Sequence, residues 1–234
     1  MNQDILENEY ITKFRKGSHL GKMGDFLRKK KNPTILEFGV ERGSSTKSFI
    51  WLIEKLNGKI YSVDINDCSN VSSSDNWKFL KSDDLKIDYV LNNFQEIKNS
   101  GVDLIYIDSY HENFHVSKLL NLYFKYVKKD GAIFIDDIDN IAYRKNYSIK
   151  KRWAIFWQCI VYDLTSEAIK EFYYNNMEKT HYTKYFGENG LGKFYKLSNL
   201  FEEPNPYKKL WNYNILIKIL YPYLRKLFNL IKLK

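Results

Sequence analysis

The sequence is poor in cysteine, with only Cys68 and Cys159 among 234 residues, and the two show no C-x-x-C or other metal-ligand spacing. This scarcity excludes a disulfide framework and a cysteine-based zinc site, and it predicts a reducing, cytoplasmic setting. No run of about 18 apolar residues is present, so no membrane-spanning helix is expected. The polar, acidic first residues also predict that no signal peptide is present.

Acidic residues are missing from residues 204–234, which hold seven Lys or Arg. The net charge of +9 is concentrated in this tail, because the other 203 residues hold 30 basic and 28 acidic groups. A nearly neutral body does not attract phosphate chains, so we expect no nucleic-acid partner. From Trp211 to Leu233 the spacing predicts an amphipathic helix. Such a helix packs on its own domain, forms a homo-oligomer, or contacts the inner face of a membrane.

Two common nucleotide-binding patterns are absent as well, since the chain has neither G-x-G-x-x-G nor a Walker lysine after its glycine-rich loop. Instead, an apolar run ends near Glu37, and Gly39, Gly43 and Ser45 follow. This order predicts a buried strand, a tight turn, and a helix whose first N–H groups can face a ligand. A second predicted strand ends in Asp64, whose carboxylate can bind two ribose hydroxyls. An ordinary strand–turn–helix, with glycines that serve packing alone, is the simpler interpretation.

Strands and helices alternate along residues 32–200, which predicts one α/β domain with a Rossmann-like, doubly wound and mostly parallel sheet. Residues 180–197 predict an antiparallel hairpin at its C-terminal edge. A helical segment over residues 1–31 and a basic amphipathic helical tail over residues 201–234 are the predicted additions. Ligands bind such sheets beyond the carboxyl ends of the strands. Five acids fall at those ends, namely Glu37, Asp64, Asp83, Asp108 and Asp136.

The ends of the fourth and fifth predicted strands carry Asp108 and the pair Asp136-Asp137. Neighbouring strands lie about 5 Å apart, so the three carboxylates would repel one another unless a cation neutralised them. Carboxylate oxygens favour Mg²⁺ or Mn²⁺, and we predict these three residues as metal ligands. His111 follows Asp108 by three residues and is placed to accept a proton from a hydroxyl. Helix capping by Asp136-Asp137 and a local hydrogen bond by His111 are the alternatives.

Three further histidines are not placed beside Asp108 or the pair Asp136-Asp137 by the sequence pattern. They are His19, His115 and His181. We expect them to be structural or solvent-facing.

The loop around Gly39 resembles that of class I S-adenosylmethionine-dependent methyltransferases. Residues 102–138 resemble the metal-dependent O-methyltransferases that include the macrocin and mycinamicin sugar methyltransferases, although Ser109 and Asp130 replace glycines of that pattern. The resemblance implies S-adenosylmethionine as the methyl donor and Asp108 and His111 in catalysis. It implies a metal ion on Asp108, Asp136 and Asp137. It also implies donor contacts from Glu37, Gly39, Gly43, Ser45, Asp64 and Asp83.

The predicted function is therefore metal-assisted methylation of a hydroxyl, with a sugar, glycan or natural-product precursor as the leading acceptor. A nucleic-acid methyltransferase is an alternative, but residues 108–111 stand where the amino-methylating type has an N-P-P-Y-like motif. A binding protein of the same fold that has lost catalysis is the second alternative. It would bind S-adenosylmethionine without metal-dependent turnover.

Overall fold

The computed structural model describes residues 3–15, 17–138, 164–187 and 189–206, together with residues 208, 220 and 223. The predicted tail helix from Trp211 onward lies outside these residues, apart from the two single positions 220 and 223, and so does Cys159. Within the described ranges, none of the helices is long and apolar enough to cross a membrane.

In the part of the chain that the structure describes, seven strands form one central sheet. They are β1 (Thr34–Phe38), β2 (Lys59–Asp64), β3 (Trp77–Lys81), β4 (Val102–Ile107), β5 (Val127–Ile135), β6 (Thr180–Tyr185) and β7 (Leu191–Lys196). Their order across the sheet is β3-β2-β1-β4-β5-β7-β6. The first five strands are parallel, whereas β7 is antiparallel to both β5 and β6. The predicted Rossmann-like, mostly parallel sheet with a C-terminal hairpin is confirmed.

Helices cover the sheet. They are α1 (Gln3–Phe14), α2 (His19–Leu27), α3 (Ser44–Lys55), α4 (Ile87–Asn93), α5 (Gln95–Ser100), α6 (Asn113–Tyr123) and α7 (residues 164–175). The sequence predicts one helix over residues 87–98, but the structure breaks it at Phe94. This residue has φ −114° and ψ 62°, and its ring turns inward to lie 4.9 Å from the ring of Tyr61. Burial of an aromatic ring therefore interrupts the helix. The sequence does not predict α7.

The core has two layers, one on each face of the sheet. One layer packs α1, α2 and α3 against it, and the other packs α4, α5, α6 and α7. All five residues of β1 are buried, as expected of a parallel strand covered on both faces. The sheet is thus doubly wound, and its carboxyl edge is left for the connecting loops.

The N-terminal helices pack on this domain and bring their connecting turn to the carboxyl edge. Tyr10 stacks on Phe14 at 4.9 Å between ring centroids, and its hydroxyl donates to Asp25 Oδ1 at 2.7 Å. Ser18 caps α2 by accepting the N–H of Gly21 at 3.1 Å. Because α2 begins directly after this cap, the first residue of the helix reaches the loops that follow β4 and β5.

Candidate active site

A cavity of about 980 Å³ opens at the carboxyl edge of the sheet. Its walls come from the loops after the first five strands and from the turn between α1 and α2. The predicted site residues that line it are Gly39, Ser45, Asp64, Asp83, Asp108, His111 and Asp136. Glu37, Gly43 and Asp137 were predicted with them, but they do not line this cavity. One cavity is therefore bordered by both predicted parts of the site. They are the glycine loop, residues 39–45, and the acidic cluster of Asp108, Asp136 and Asp137, of which Asp137 lies outside the lining.

Both glycines of the loop have a positive φ, and a side chain at either position would meet a neighbouring residue. Gly39 has φ +92°, and a Cβ atom there would collide with the carbonyl group of Asp108. Gly43 has φ +74° at the N-cap of α3, and a Cβ atom there would collide with the side chain of Val71. Gly39 therefore lets the loops after β1 and β4 touch, in addition to exposing backbone to the cavity.

Glu37 is fully buried under the glycine loop. Its carboxylate accepts hydrogen bonds from the hydroxyls of Ser45, Thr46 and Ser62, at 2.7, 2.8 and 2.7 Å. Burial raises the pKa of Glu37 to about 7, although the three hydroxyl donors oppose that rise. The residue thus holds the start of α3 against β2, and any influence on a ligand passes through Ser45.

Asp64 binds the glycine loop from the neighbouring strand. Its Oδ2 accepts the N–H groups of Val40 at 2.8 Å and Glu41 at 3.1 Å, and its Oδ1 accepts the N–H of Asn66 at 2.8 Å. Burial acts to raise its pKa, but these backbone donors outweigh it and lower the pKa below the usual range. Asp64 is thus an ionised carboxylate that borders the cavity and fixes the loop.

The acids after β4 and β5 are linked through protein side chains. The Tyr106 hydroxyl lies 2.8 Å from Asp136 Oδ2 and 3.2 Å from Asp108 Oδ2, so it bridges the two carboxylates. His19 Nδ1 lies 3.0 Å from Asp136 Oδ1. The first residue of α2 therefore reaches an acid 117 positions further along the chain.

His111 lies between two of the acids. Its Nε2 is 3.5 Å from Asp108 Oδ1 and 3.7 Å from Asp137 Oδ2, and its Nδ1 is buried without a partner in the described part of the chain. Burial acts to lower the pKa of His111, but the hydrogen bond to Asp108 and the charges of the acids raise it above the usual value. A proton on this imidazole would therefore be stabilised.

The acidic cluster carries an unbalanced negative charge. Burial and the charge of Asp136 raise the pKa of Asp108 and of Asp137, although His111 opposes both shifts. The pKa of Asp136 is lowered instead, because its hydrogen bonds with His19 and Tyr106 outweigh the effect of burial. Asp136 thus has the closer contact with Tyr106, at 2.8 Å against 3.2 Å for Asp108, and its own contact with His19.

The donor set suits a hard divalent cation in its chemistry. Carboxylate oxygens are the ligands that Mg²⁺ and Mn²⁺ prefer, and a cation would relieve the repulsion that raises two of the pKa values. In the described ranges, however, no three His, Cys, Asp or Glu side chains converge into a formed metal centre. The contacts of Asp136 explain part of this absence, because His19 and Tyr106 lie against its two carboxylate oxygens. The three carboxylates have the oxygen ligands that a divalent cation needs. Asp136 would have to give up its contact with His19 or Tyr106 to bind one.

Several residues of the cavity wall were missed by reasoning from the sequence. His19 and His115 were expected to be structural or solvent-facing, yet both line the cavity. His115 Nε2 lies 3.0 Å from Asp84 Oδ1, and Ser109 donates to Asp84 Oδ2 at 2.7 Å. Tyr106 had a usable signal, since it precedes Asp108 by two residues and the strand period of two puts both on one face.

Comparison with known proteins agrees with this fold. Residues 36–138 match the model of a family described as a methyltransferase domain. No curated protein matches the sequence. Over these residues, which make up less than half of the chain, the sequence is similar to a methyltransferase domain.

Three solved structures show the same fold at low sequence identity. A candidate caffeoyl-CoA O-methyltransferase from Staphylococcus aureus shares 14% identity over 84% of this chain and 93% of that one, with a TM-score of 0.54. MycE methyltransferase of the mycinamycin biosynthetic pathway, in complex with Mg, SAH and mycinamycin VI, shares 16% over 88% of this chain and 56% of that one, with a TM-score of 0.54. A candidate rRNA methylase from Clostridium thermocellum shares 15% over 77% and 96%, with a TM-score of 0.52. The chain thus spans about half of MycE, and the fold is common to proteins with different acceptors.

Proposed function

We propose that this protein is an S-adenosylmethionine-dependent O-methyltransferase that uses Mg²⁺ or Mn²⁺ and methylates a hydroxyl of a sugar, glycan or natural-product precursor. The observation that carries the proposal is the single cavity shared by the glycine loop and the acidic cluster. A methyl donor and an acceptor must meet within bonding distance, and such a space would bring them together.

The glycine loop and the acids after β2 and β3 would hold the donor. S-adenosylmethionine supplies an electrophilic methyl group on a sulfonium. Gly39 offers backbone without a side chain, Asp64 and Asp83 offer carboxylates to hydroxyl and amino groups, and Ser45 offers a hydroxyl near the start of α3. The ionised state of Asp64 also favours a cationic donor.

His111 and Asp108 would handle the proton of the acceptor hydroxyl. His111 accepts that proton, and the carboxylates of Asp108 and Asp137, at 3.5 and 3.7 Å from its Nε2, stabilise the resulting imidazolium. Asp108, Asp136 and Asp137 would hold the divalent cation, which makes a hydroxyl near it easier to deprotonate. The raised pKa of Asp108 and Asp137 supports a role for a positive charge at this place.

A sugar hydroxyl is the proposed acceptor. Its support is the resemblance of residues 102–138 to the sugar O-methyltransferases and the likeness in fold to MycE, which was solved with mycinamycin VI. The cavity of about 980 Å³ lies at the upper end of the range of ligand pockets, roughly 300–1,000 Å³, and leaves room for two molecules. The nearly neutral body argues against a nucleic-acid acceptor.

The tail supports a further part of the proposal. Its basic and apolar residues are consistent with a cytoplasmic protein that forms a homo-oligomer or contacts the inner face of a membrane. Removal of residues 207–234 followed by liposome flotation and light scattering separates the two, because each predicts a loss in only one of the measurements.

The test is a transfer assay with radiolabelled S-adenosylmethionine over nucleotide sugars, glycans and rRNA fragments, with and without EDTA. We expect label on a sugar hydroxyl, loss of transfer with EDTA, and recovery with excess Mg²⁺. Asp136→Ala should abolish transfer, whereas Asp88→Ala, an exposed change on α4, should leave it intact. Turnover that survives both EDTA and Asp136→Ala would refute the metal, and label on rRNA alone would favour the nucleic-acid alternative.

A further inference from the structure

Lys193 of β7 is a half-buried lysine surrounded by aromatic rings. Its Nζ lies 5.0 Å from the ring centroid of Phe26, 5.3 Å from that of Tyr195 and 5.7 Å from that of Phe134. Such rings attract an ammonium group and replace part of its lost water. None of the ion pairs formed among the described residues includes Lys193, so its charge has no carboxylate partner there.

More lysines crowd the same surface. Lys30 Nζ lies 5.2 Å from the Phe26 centroid and donates to the carbonyl oxygen of Asp130 at 2.6 Å, and Lys22 Nζ lies 5.6 Å from the centroid of Tyr185. Burial lowers the pKa of Lys193, and the charges of Lys29 and Lys30 lower it further. We call this group of four, Lys22, Lys29, Lys30 and Lys193, the lysine cluster.

Packing alone does not account for this arrangement. Contact with aromatic rings explains one half-buried ammonium group. It does not explain why the positive charges of Lys29 and Lys30 lie close enough to repel that of Lys193. Asp130 lies beside this surface and its Oδ1 accepts the Tyr195 hydroxyl at 2.9 Å, but in the described ranges its carboxylate forms no ion pair with the four lysines. Residues 207–234 contain no Asp or Glu, so no acidic side chain of the tail can pair with these lysines.

The lysine cluster also has a defined position in the sheet. Lys193 pairs with Phe134 across the β5–β7 register, and Phe134 precedes Asp136 by two residues. Two residues of a strand span about 7 Å and leave both side chains on one face of the sheet. The cluster therefore stands beside the cavity, on the face that α2 covers.

We infer that the lysine cluster binds the phosphate group of an anionic ligand, either a soluble phosphate ester or a phospholipid headgroup. Several ammonium groups supply the charge, and Phe26, Tyr185 and Tyr195 form apolar walls beside it. The inference is independent of methyl transfer, since it uses no residue assigned to the donor or to the acidic cluster.

The experiment uses the full chain and two probes at low ionic strength, with sodium chloride of equal ionic strength as the reference. Pyrophosphate is titrated by calorimetry, and flotation is measured with phosphatidylglycerol vesicles and with phosphatidylcholine vesicles. We expect binding to pyrophosphate, to the phosphatidylglycerol vesicles, or to both, and no binding to phosphatidylcholine. Binding of pyrophosphate identifies a soluble phosphate ester as a sufficient ligand, and binding of the anionic vesicles alone identifies a headgroup.

Two variants connect the binding to the cluster. Lys193→Met keeps the length and apolar character of the side chain, and Lys29→Gln/Lys30→Gln changes one exposed and one half-buried lysine while leaving Lys193 in place. Each should weaken binding at least tenfold, whereas Lys86→Gln, an exposed lysine before α4, should not. Absence of binding by the wild-type chain, or binding by both variants at wild-type strength, would overturn the inference. In either case the far-ultraviolet circular dichroism spectrum and the urea unfolding curve tell a misfolded protein from a wrong inference.

Discussion

Asp64 and Asp137 each stand at or just beyond the end of a strand on the same edge of the sheet, yet their surroundings move their pKa values in opposite directions. Backbone N–H groups outweigh burial at Asp64 and lower its pKa. Burial, with the charges of Asp136 and Asp108, raises the pKa of Asp137. An acid that backbone donors satisfy is part of the scaffold of a loop. An acid that keeps an unbalanced charge remains available to a cation or to a proton.

Glu37 shows a third arrangement on the same edge. It has no backbone donor, and three hydroxyls hold it in a fully buried place where its pKa rises to about 7. Hydroxyls can donate to a carboxylate or accept from a protonated carboxyl, so they tolerate both forms. Glu37 and Asp64 therefore both fix the loops on the donor side of the cavity, Asp64 also borders the cavity, and the proton chemistry is assigned to the acids after β4 and β5.

The largest effect should follow from removing a charge of the acidic cluster. Asp108→Asn should lower the rate of methyl transfer by about a thousandfold, because it removes the partner of the His111 imidazole. Binding of S-adenosylhomocysteine, measured by calorimetry, should be unchanged. The exposed change Asp88→Asn serves as the control. If Asp108→Asn kept the full rate of methyl transfer, the assignment of the chemistry to the acids after β4 and β5 would be wrong.

A large loss of stability should follow from a side chain at the glycine loop. Gly39→Ala should lower the free energy of unfolding by at least about 3 kcal/mol, since it combines a positive φ with a collision against Asp108. Gly17 is a matched control, because its φ is +90° and nothing lies within 4 Å of the added Cβ. Gly17→Ala should cost about 1 kcal/mol in urea unfolding. Equal losses in the two variants would show that the contact between the loops is unimportant.

Glu37 predicts a dependence of stability on pH. Its pKa rises from 4.5 to about 7 on folding, so its contribution is complete below pH 4.5 and is lost as the pH rises through about 7. The loss should be about 3 kcal/mol in the free energy of unfolding. Glu37→Gln should flatten this part of the profile, whereas the exposed Glu54→Gln should keep it. A wild-type profile that is flat between pH 4.5 and 8 would contradict the assignment.

The smallest predicted effect concerns one hydroxyl. Thr46→Val keeps the shape of the side chain but removes a donor to Glu37, and it should cost about 1 kcal/mol of unfolding free energy. It should also raise the pKa of Glu37 further, because that donor opposes the rise. Ser48→Ala, at a half-buried position of α3, removes only long hydrogen bonds of 3.3 and 3.4 Å to the carbonyl oxygens of Lys13 and Ser44, and it should change stability by less than about 0.5 kcal/mol. A larger loss for Ser48→Ala than for Thr46→Val would exclude this explanation.

The sequence predicts best what depends on local patterns. Alternating apolar runs and polar breaks predicted the order of strands and helices and the C-terminal hairpin, and acids at strand ends indicated the edge that carries the cavity. The sequence predicts less well the direction in which a side chain points. Glu37 has the spacing of a ligand-facing acid, but nearby hydroxyls bury it.

Contacts between residues that are far apart in the chain could not be predicted from the sequence. His19 meets Asp136 only because α1 and α2 pack across the sheet, and no spacing in the chain records this meeting. The break at Phe94 has a similar cause, since it depends on the ring of Tyr61. Residues whose roles arise from packing between elements therefore require the structure.

We propose that the cavity binds the methyl donor, and calorimetric titration with S-adenosylhomocysteine measures this binding. The account predicts saturable binding of one molecule per chain, with affinity weakened about tenfold or more by Asp64→Ala, which removes both a contact and the support of the loop. A folded protein that shows no heat of binding at millimolar ligand, or an affinity untouched by Asp64→Ala, would contradict it.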